Sequence, residues 1–357
     1  MNTHKTSSPI IFKNTQKMTK KLIQKTNSKP SQISNRLMRF TKQTLKALIT
    51  LSALLFNQAY ATQNPQCDSG QTPISANAQA TLITADLLFL EGPTWSHRQQ
   101  AFYFSEMNFG SPQATGPAAN IYKLQLPNTL STFIKHSGSN GLLAQGNNLY
   151  ALTHSTRSVT KINLTTKEKT VLIDRYQGQY FNSPNDIALH SNGTIYFTDP
   201  DWQLGERTKE LDFTGVFSLT PQGKISLIDK TRAKPNGIVL SPDESKLYVG
   251  DHTNEVGVYS VSKGGQVGTR TPFISVASPD GITVDCAGNL YIASHNEGNI
   301  YVYSPHAKLL NKMYITPKIT NMEFGGPNMK TLLITSGTGL YTLQTNLPGK
   351  SQNEKFM

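Results

Sequence analysis

From residue 80 onward, apolar and polar positions alternate with a period of two, in short runs broken by turn signals. Residues 185–198, NDIALHSNGTIYFT, show the unit most clearly. A polar opening, Asn185-Asp186, leads into the apolar alternation Ile187–Leu189. Ser191-Asn192-Gly193 then reads as a tight turn, and Thr194–Thr198 as a second strand. The same unit opens at Glu91-Gly92, Asn140-Gly141, Asn236-Gly237, Asp280-Gly281 and Asn321-Met322. The six leading polar residues are spaced 49, 45, 51, 44 and 41 residues apart. Ten to twelve residues beyond each comes the centre of a second strand: Tyr103, Tyr150, Tyr196, Tyr248, Tyr291 and Leu333.

A third strand recurs at 120–122, 158–160, 215–217, 257–259, 299–301 and 339–341. A fourth follows in five copies, at 131–135, 170–174, 224–229, 271–276 and 310–315, while the sixth copy runs into a polar tail. Ala80–Leu90, ahead of the first unit, supplies the missing strand. Units of about 45 residues with four antiparallel strands predict an all-β fold, a six-bladed β-propeller closed by an N-terminal strand. A pair of β-sandwiches would not give near-equal spacing six times over. The expected layout is a leader over 1–61, an arm over 62–79, the propeller over 80–345 and a polar tail over 346–357.

Charge changes the picture only at the N-terminus. The formal net charge is +12, but residues 1–61 hold eleven Lys and Arg and no Asp or Glu. That leaves 23 basic against 22 acidic residues in the remainder, so nucleic acid is not an expected partner. Arg39, Lys42 and Lys46 precede the apolar run Ala47–Phe56, and Ala59-Tyr60-Ala61 provides small residues for cleavage. This reads as a secretory signal peptide, with Met38 as an alternative start and cleavage after Ala61. The run is too short to span a bilayer, so no stable membrane insertion is expected after cleavage, and the product would be periplasmic or secreted. Two cysteines, Cys67 and Cys286, lie in the mature chain, and both a disulfide and two free thiols stay open at this point.

In a propeller the residues opening the innermost strands converge at one mouth of the central channel. Those positions hold Glu91, Asn140, Asn185, Asn236, Asp280 and Asn321: two carboxylates and four amides, with no sulfur or imidazole. Asn-Gly and Asp-Gly are also ordinary turn pairs. Glu is not a turn residue, however, and Glu91 in register with Asp280 and the amides points to a hard cation held by oxygen.

EGPTW at 91, NSPNDIALHSNGTIYFTDP at 182, KPNGIVLSPDESKLYVGD at 234, SPDGITVDCAGNLYIAS at 278 and TNMEFGGPNMKTLLITS at 320 together resemble the gluconolactonase/regucalcin-like family. The resemblance covers essentially the whole mature chain. It implies a metal-dependent hydrolase that opens a small-molecule lactone around one divalent cation, calcium first, with magnesium, manganese or zinc as alternatives. It implies Glu91, Asn236 and Asp280 as ligands, Asn185 as a ligand of metal or substrate, and Asp280 as the catalytic proton acceptor. Ser183 departs from the animal members, which carry a substrate-contacting Arg there, and matches the bacterial form NSPND. Ser183, Asn140 and Trp202, the last in a loop bordering the pocket, are the further candidates for substrate contact.

Two other readings stay open on the same residues: hydrolysis of a phosphotriester or aryl ester, and a non-catalytic propeller with a structural ion. No G-x-S-x-G and no phosphate-cradling glycine loop is present. His154, His252 and His295 end second strands and are candidate proton shuttles. Asp199 and Asp251 end second strands too and are expected to bond to the backbone of a neighbouring blade.

Overall fold

In the computed structural model, which describes residues 67–337 and 339–350, the alternating runs form six four-stranded antiparallel sheets and one two-stranded hairpin. The first strands of the six sheets are Phe89–Ser96, Ser139–Gln145, Ile187–Leu189, Pro235–Leu240, Pro279–Val284 and Ile319–Gly325. They pack beside one another in chain order, and the sixth packs beside the first, so the sheets form a ring of six blades. In the sixth sheet the outermost strand is Thr81–Thr84, paired with Leu340–Gln344. The run Ala80–Leu90 is therefore not one strand: its last two residues, from Phe89, already belong to the first blade. No helix among the described residues is long and apolar enough to cross a membrane. The leader and residues 351–357 lie outside the described residues.

The ring is tight where the first strands begin. A Cβ on Gly92 would stand 2.4 Å from the Asn140 carbonyl, and one on Gly237 2.2 Å from the Asp280 carbonyl. Gly141 meets the Asn185 carbonyl in the same way, at 2.3 Å, and Gly281 meets the Asn321 side chain and, at 2.6 Å, its Cα. Each glycine follows a leading polar residue and lets the next blade's backbone come within contact of its own. Polar bonds fix the same joints. Ser105 Oγ donates to the Asn140 carbonyl at 2.7 Å, Gly141 N to the Asn185 carbonyl at 2.7 Å, Thr198 Oγ1 to the Asn236 carbonyl at 2.8 Å and Thr320 Oγ1 to the Leu90 carbonyl at 2.6 Å.

Further out, large side chains of the second strands fill the gaps between blades. Tyr103, Tyr196, Tyr248 and Tyr291 are fully buried, as the strand-centre pattern predicts, and so is Leu333. Tyr103 packs with Leu142 and Ala144 of the second blade, Tyr248 with Ile282 and Val284 of the fifth. Burying such a ring contributes on the order of 2–3 kcal/mol each. Tyr150 is only half-buried. The alternation did not reveal the small hairpin Arg175–Tyr176/Gln179–Tyr180, whose turn, Gln177-Gly178, holds two positive φ angles.

Both ends of the described chain meet beneath the fifth and sixth blades. Cys67 and Cys286 form a disulfide with a Cα–Cα distance of 5.7 Å. Asn346 bonds through its backbone and side chain to Pro73, Thr72 and Ser75 of the arm, and Cys286 N donates to the Pro348 carbonyl. The expected polar tail is thus packed on the body as far as Lys350.

Gly237→Ala tests the tightness of the ring. Its Cβ meets only backbone, so a loss of about 3 kcal/mol or more is expected, read as a fall of roughly 6–12 °C in Tm. A shift near that of Gly70→Ala, at an exposed turn where the nearest atom is a side-chain oxygen 3.4 Å away, would show that the ring can loosen at no cost.

Candidate active site

Glu91, Asn185, Asn236 and Asp280 line one cavity at the mouth of the channel, with about 420 Å³ of water-accessible space. They come from four different blades, and each side chain is at least nine-tenths buried. Asp280 Oδ2 accepts from His295 Nδ1 at 3.1 Å. Because the same nitrogen lies 3.1 Å from the Ile319 carbonyl, which only accepts, Nδ1 carries the hydrogen. The other oxygen of Asp280, Oδ1, is buried with no hydrogen-bond partner. Burial, followed by the nearby charges of Asp280 and Asp186, pushes the Glu91 carboxyl well above the usual carboxylate range. At His295 burial opposes the charged ring, but the hydrogen bond and charge of Asp280 raise its pKa above the ordinary imidazole value.

The six leading positions do not all share this cavity. Asn140 is buried behind it, with both amide atoms unpaired. Asn321 lies one level down, between Glu91 and Asp186, whose Oδ2 accepts from its Nδ2 at 3.4 Å. Ser183, a candidate for substrate contact, is fully buried behind the wall. Asp199 Oδ1 accepts from its backbone N–H at 2.8 Å, and its hydroxyl donates to Gln203 Oε1 at 3.1 Å, so it supports a wall residue and is not one itself. Trp202 and Gln203 do line the cavity, as do His252 and His295. His154 does not; it is buried, its Nε2 lies 2.7 Å from the Pro117 carbonyl, and burial lowers its pKa to about 4.

Asp199 and Asp251 bond to backbone within their own blade, not a neighbouring one. Asp199 accepts from Asn182 N and Ser183 N, and Asp251 Oδ2 from Ala233 N at 2.9 Å. Each thereby fixes the segment leading into its blade's first strand. The rim loop 199–207 is clamped by Arg207, which donates to the carbonyls of Thr115, His154, Ser155, Gln203 and Leu204.

Sequence reasoning missed a second group of ionisable residues, inside the channel below. Asp186, Glu323, Glu244, His190 and Lys350 line a narrower cavity there. Burial raises Asp186 to about 7 and Glu323 to about 8. Lys350 Nζ lies 3.9 Å from Glu244 Oε1 at the far end, and burial lowers its pKa. One signal was readable: Asp186 stands where four of the other units carry glycine.

Residues 89–338 match the family described as the SMP-30/gluconolactonase/LRE-like region. This chain belongs to that family. It is 30% identical over 303 residues to a gluconolactonase from Zymomonas mobilis, an alignment covering 75% of this chain and 82% of the relative. The fold is also that of a gluconolactonase from Xanthomonas campestris, with a TM-score of 0.68 at 24% identity over 79% of this chain and 94% of the other. Regucalcin from Agrobacterium tumefaciens, described as a calcium-binding protein, aligns with a TM-score of 0.63 at 17% identity over 76% of this chain and 94% of the other.

The donor set fits a cation by its chemistry. A Glu91 carboxyl whose pKa is raised by burial and by the nearby Asp280 charge, an orphaned buried carboxylate oxygen on Asp280 and two amides on one cavity wall are costly to leave unpaired. A hard dication would satisfy all of them with oxygen. Among the described residues no three His, Cys, Asp or Glu side chains form a metal-holding group, so half of this set must come from amides.

Glu323 gives a pH test separate from that set. Its folded pKa, about 8, lies above the ordinary value of 4.5, so the folded state holds the extra proton between those limits. Its contribution to stability is therefore fully present below about pH 4.5 and falls as pH rises through 8. Glu323→Gln is expected to be more stable than the parent at pH 9, with a smaller gap at pH 5, by thermal melts. An equal difference at both pH values would place the Glu323 carboxyl in contact with solvent.

Proposed function

We propose that this protein is an exported, cation-dependent lactonase that opens a sugar lactone to its hydroxy acid. The observation that carries the reading is the unpartnered Asp280 Oδ1, buried in one cavity with Glu91, Asn185 and Asn236. Family membership and the similarity to the Zymomonas gluconolactonase support a lactone as substrate. The calcium-binding relative and the all-oxygen donor set support calcium as the ion.

Glu91, Asn185, Asn236 and Asp280 would hold the cation, which when bound would polarise the lactone carbonyl and stabilise the charge that develops on its oxygen. The residues do the rest. His295 fixes Asp280 through Oδ2, which leaves Oδ1 to face the cation, and Oδ2 accepts the proton of the attacking water on its remaining lone pair. The new bond joins that water's oxygen to the carbonyl carbon. The ring carbon–oxygen bond breaks, and the departing ring oxygen takes that proton back from Asp280 to become a hydroxyl. Amides at Gln203 and Asn296 offer donors and acceptors to the sugar hydroxyls.

Export is supported by the leader and by the Cys67–Cys286 disulfide, a bond that persists in oxidising compartments. Protein recovered from outside the cytoplasm should begin at Thr62; an intact amino terminus would remove this part of the reading.

The enzyme is tested on glucono-1,5-lactone with chelator and with each of calcium, magnesium, manganese and zinc restored. Chelation is expected to abolish the rate above the spontaneous one. Asp280→Asn is expected to lower kcat by about 100-fold or more. His295→Leu should cost ~10–100-fold in kcat/KM, with much of it recovered in His295→Asn, whose amide N–H can replace Nδ1. No chelator-sensitive hydrolysis of any sugar lactone would overturn the reading, and hydrolysis of phenyl acetate alone would replace it with the aryl-ester alternative.

A further inference from the structure

One wall of the same cavity is a continuous run of aromatic rings. Phe109 meets Phe89 edge-on, with centroids 5.2 Å apart, and Phe89 lies 6.2 Å from His295. His295 lies 6.3 Å from His252, and His252 meets Trp202 edge-on at 5.6 Å. All five line the cavity and none is fully buried: four are partly buried, and Phe109 is 49% exposed. The large rings that stabilise the blades are, by contrast, fully buried. Folding alone therefore does not account for the run, which leaves apolar surface facing a water-accessible space.

The run meets the polar cluster at His295, whose Nδ1 is bonded to Asp280. A lactone whose carbonyl lies at Asp280 and Glu91 would cover only the middle of a wall four ring spacings long. The two ends differ. Phe89 and Phe109 form an apolar end. At the other end Trp202 has the Lys234 amine 5.7 Å from its ring centroid, and Gln203 beside it has Oε1 held by Ser183, so its amide nitrogen is the donor it can offer. An aromatic face with hydroxyl-binding groups at its edge is suited to a sugar ring, which has an apolar face and a polar rim. A cavity of about 420 Å³ falls in the range that encloses ligands larger than one sugar ring.

We infer that the substrate is an aldonolactone carrying a second sugar ring, and that the face of Trp202, with the His252 ring standing edge-on beside it, is the platform for that ring. The inference rests on the lactonase reading for the position of the first ring. It is tested by calorimetric titration, in calcium-containing buffer, with the unreactive δ-lactams of gluconic acid and cellobionic acid. The two-ring lactam is expected to bind at least ten times more tightly. That advantage should drop below threefold in Trp202→Ala and return in Trp202→Phe. The chain has two tryptophans, and Trp95 is only 1% exposed, so wild-type fluorescence should also respond to the two-ring lactam more than to the one-ring lactam. Equal affinities, or an advantage that survives Trp202→Ala, would overturn the inference. If neither parent lactone is hydrolysed faster than in buffer, the lactonase reading fails, and the lactam comparison still decides whether the platform exists.

Discussion

The close approach of neighbouring blades at the channel mouth is the constraint on which the site depends. Four of the six joints place a glycine against the next blade's backbone, at distances no side chain could share. Hydroxyls of Ser105, Thr198 and Thr320 bond the carbonyls at three joints. Glu91, Asn185, Asn236 and Asp280 each immediately precede or lie at such a joint, so the contacts that close the ring also aim the side chains. Residues almost 190 positions apart in the chain become neighbours without any flexible loop between them.

The same geometry concentrates charge. Burial, with the charges of Asp280 and Asp186 close by, pushes the Glu91 carboxyl well above its ordinary range. Lower in the channel the protein supplies its own cation: Lys350, brought in by the C-terminal segment, faces Glu244 and Glu323. At the upper mouth no lysine or arginine lines the cavity among the described residues. The two ends of one acidic channel thus differ in how their charge is offset, and only the upper end opens to a substrate-sized space.

Much of this was legible because a propeller writes its fold as a repeat. Period-two alternation and the spacing of Glu91, Asn140, Asn185, Asn236, Asp280 and Asn321 were enough for the blade count and for four residues of one cavity. The repeat could not say which leading residues point up and which down. Asn321 turns into the channel because Asp186 offers it a partner, and Asp186 breaks the glycine pattern of its own position. Ser183 was a candidate for substrate contact, yet the Asp199 carboxylate holds its backbone behind the wall. Lys350, in the tail, and Phe89 and Phe109 carried no signal in the repeat, while Trp202, His252 and His295 were candidates one by one and only the fold joins them into a single wall. The Cys67–Cys286 pair joins two segments 219 residues apart, and only the fold brings them together.

A crystal structure with calcium, and with manganese located by its anomalous scattering, is the most direct measurement. The account requires one ion touching carboxylate oxygens of both Glu91 and Asp280 at about 2.3–2.6 Å for calcium, with amide oxygens of Asn185 or Asn236 in the same shell. An ion that leaves either carboxylate out of contact, or none bound there at millimolar calcium, would contradict it.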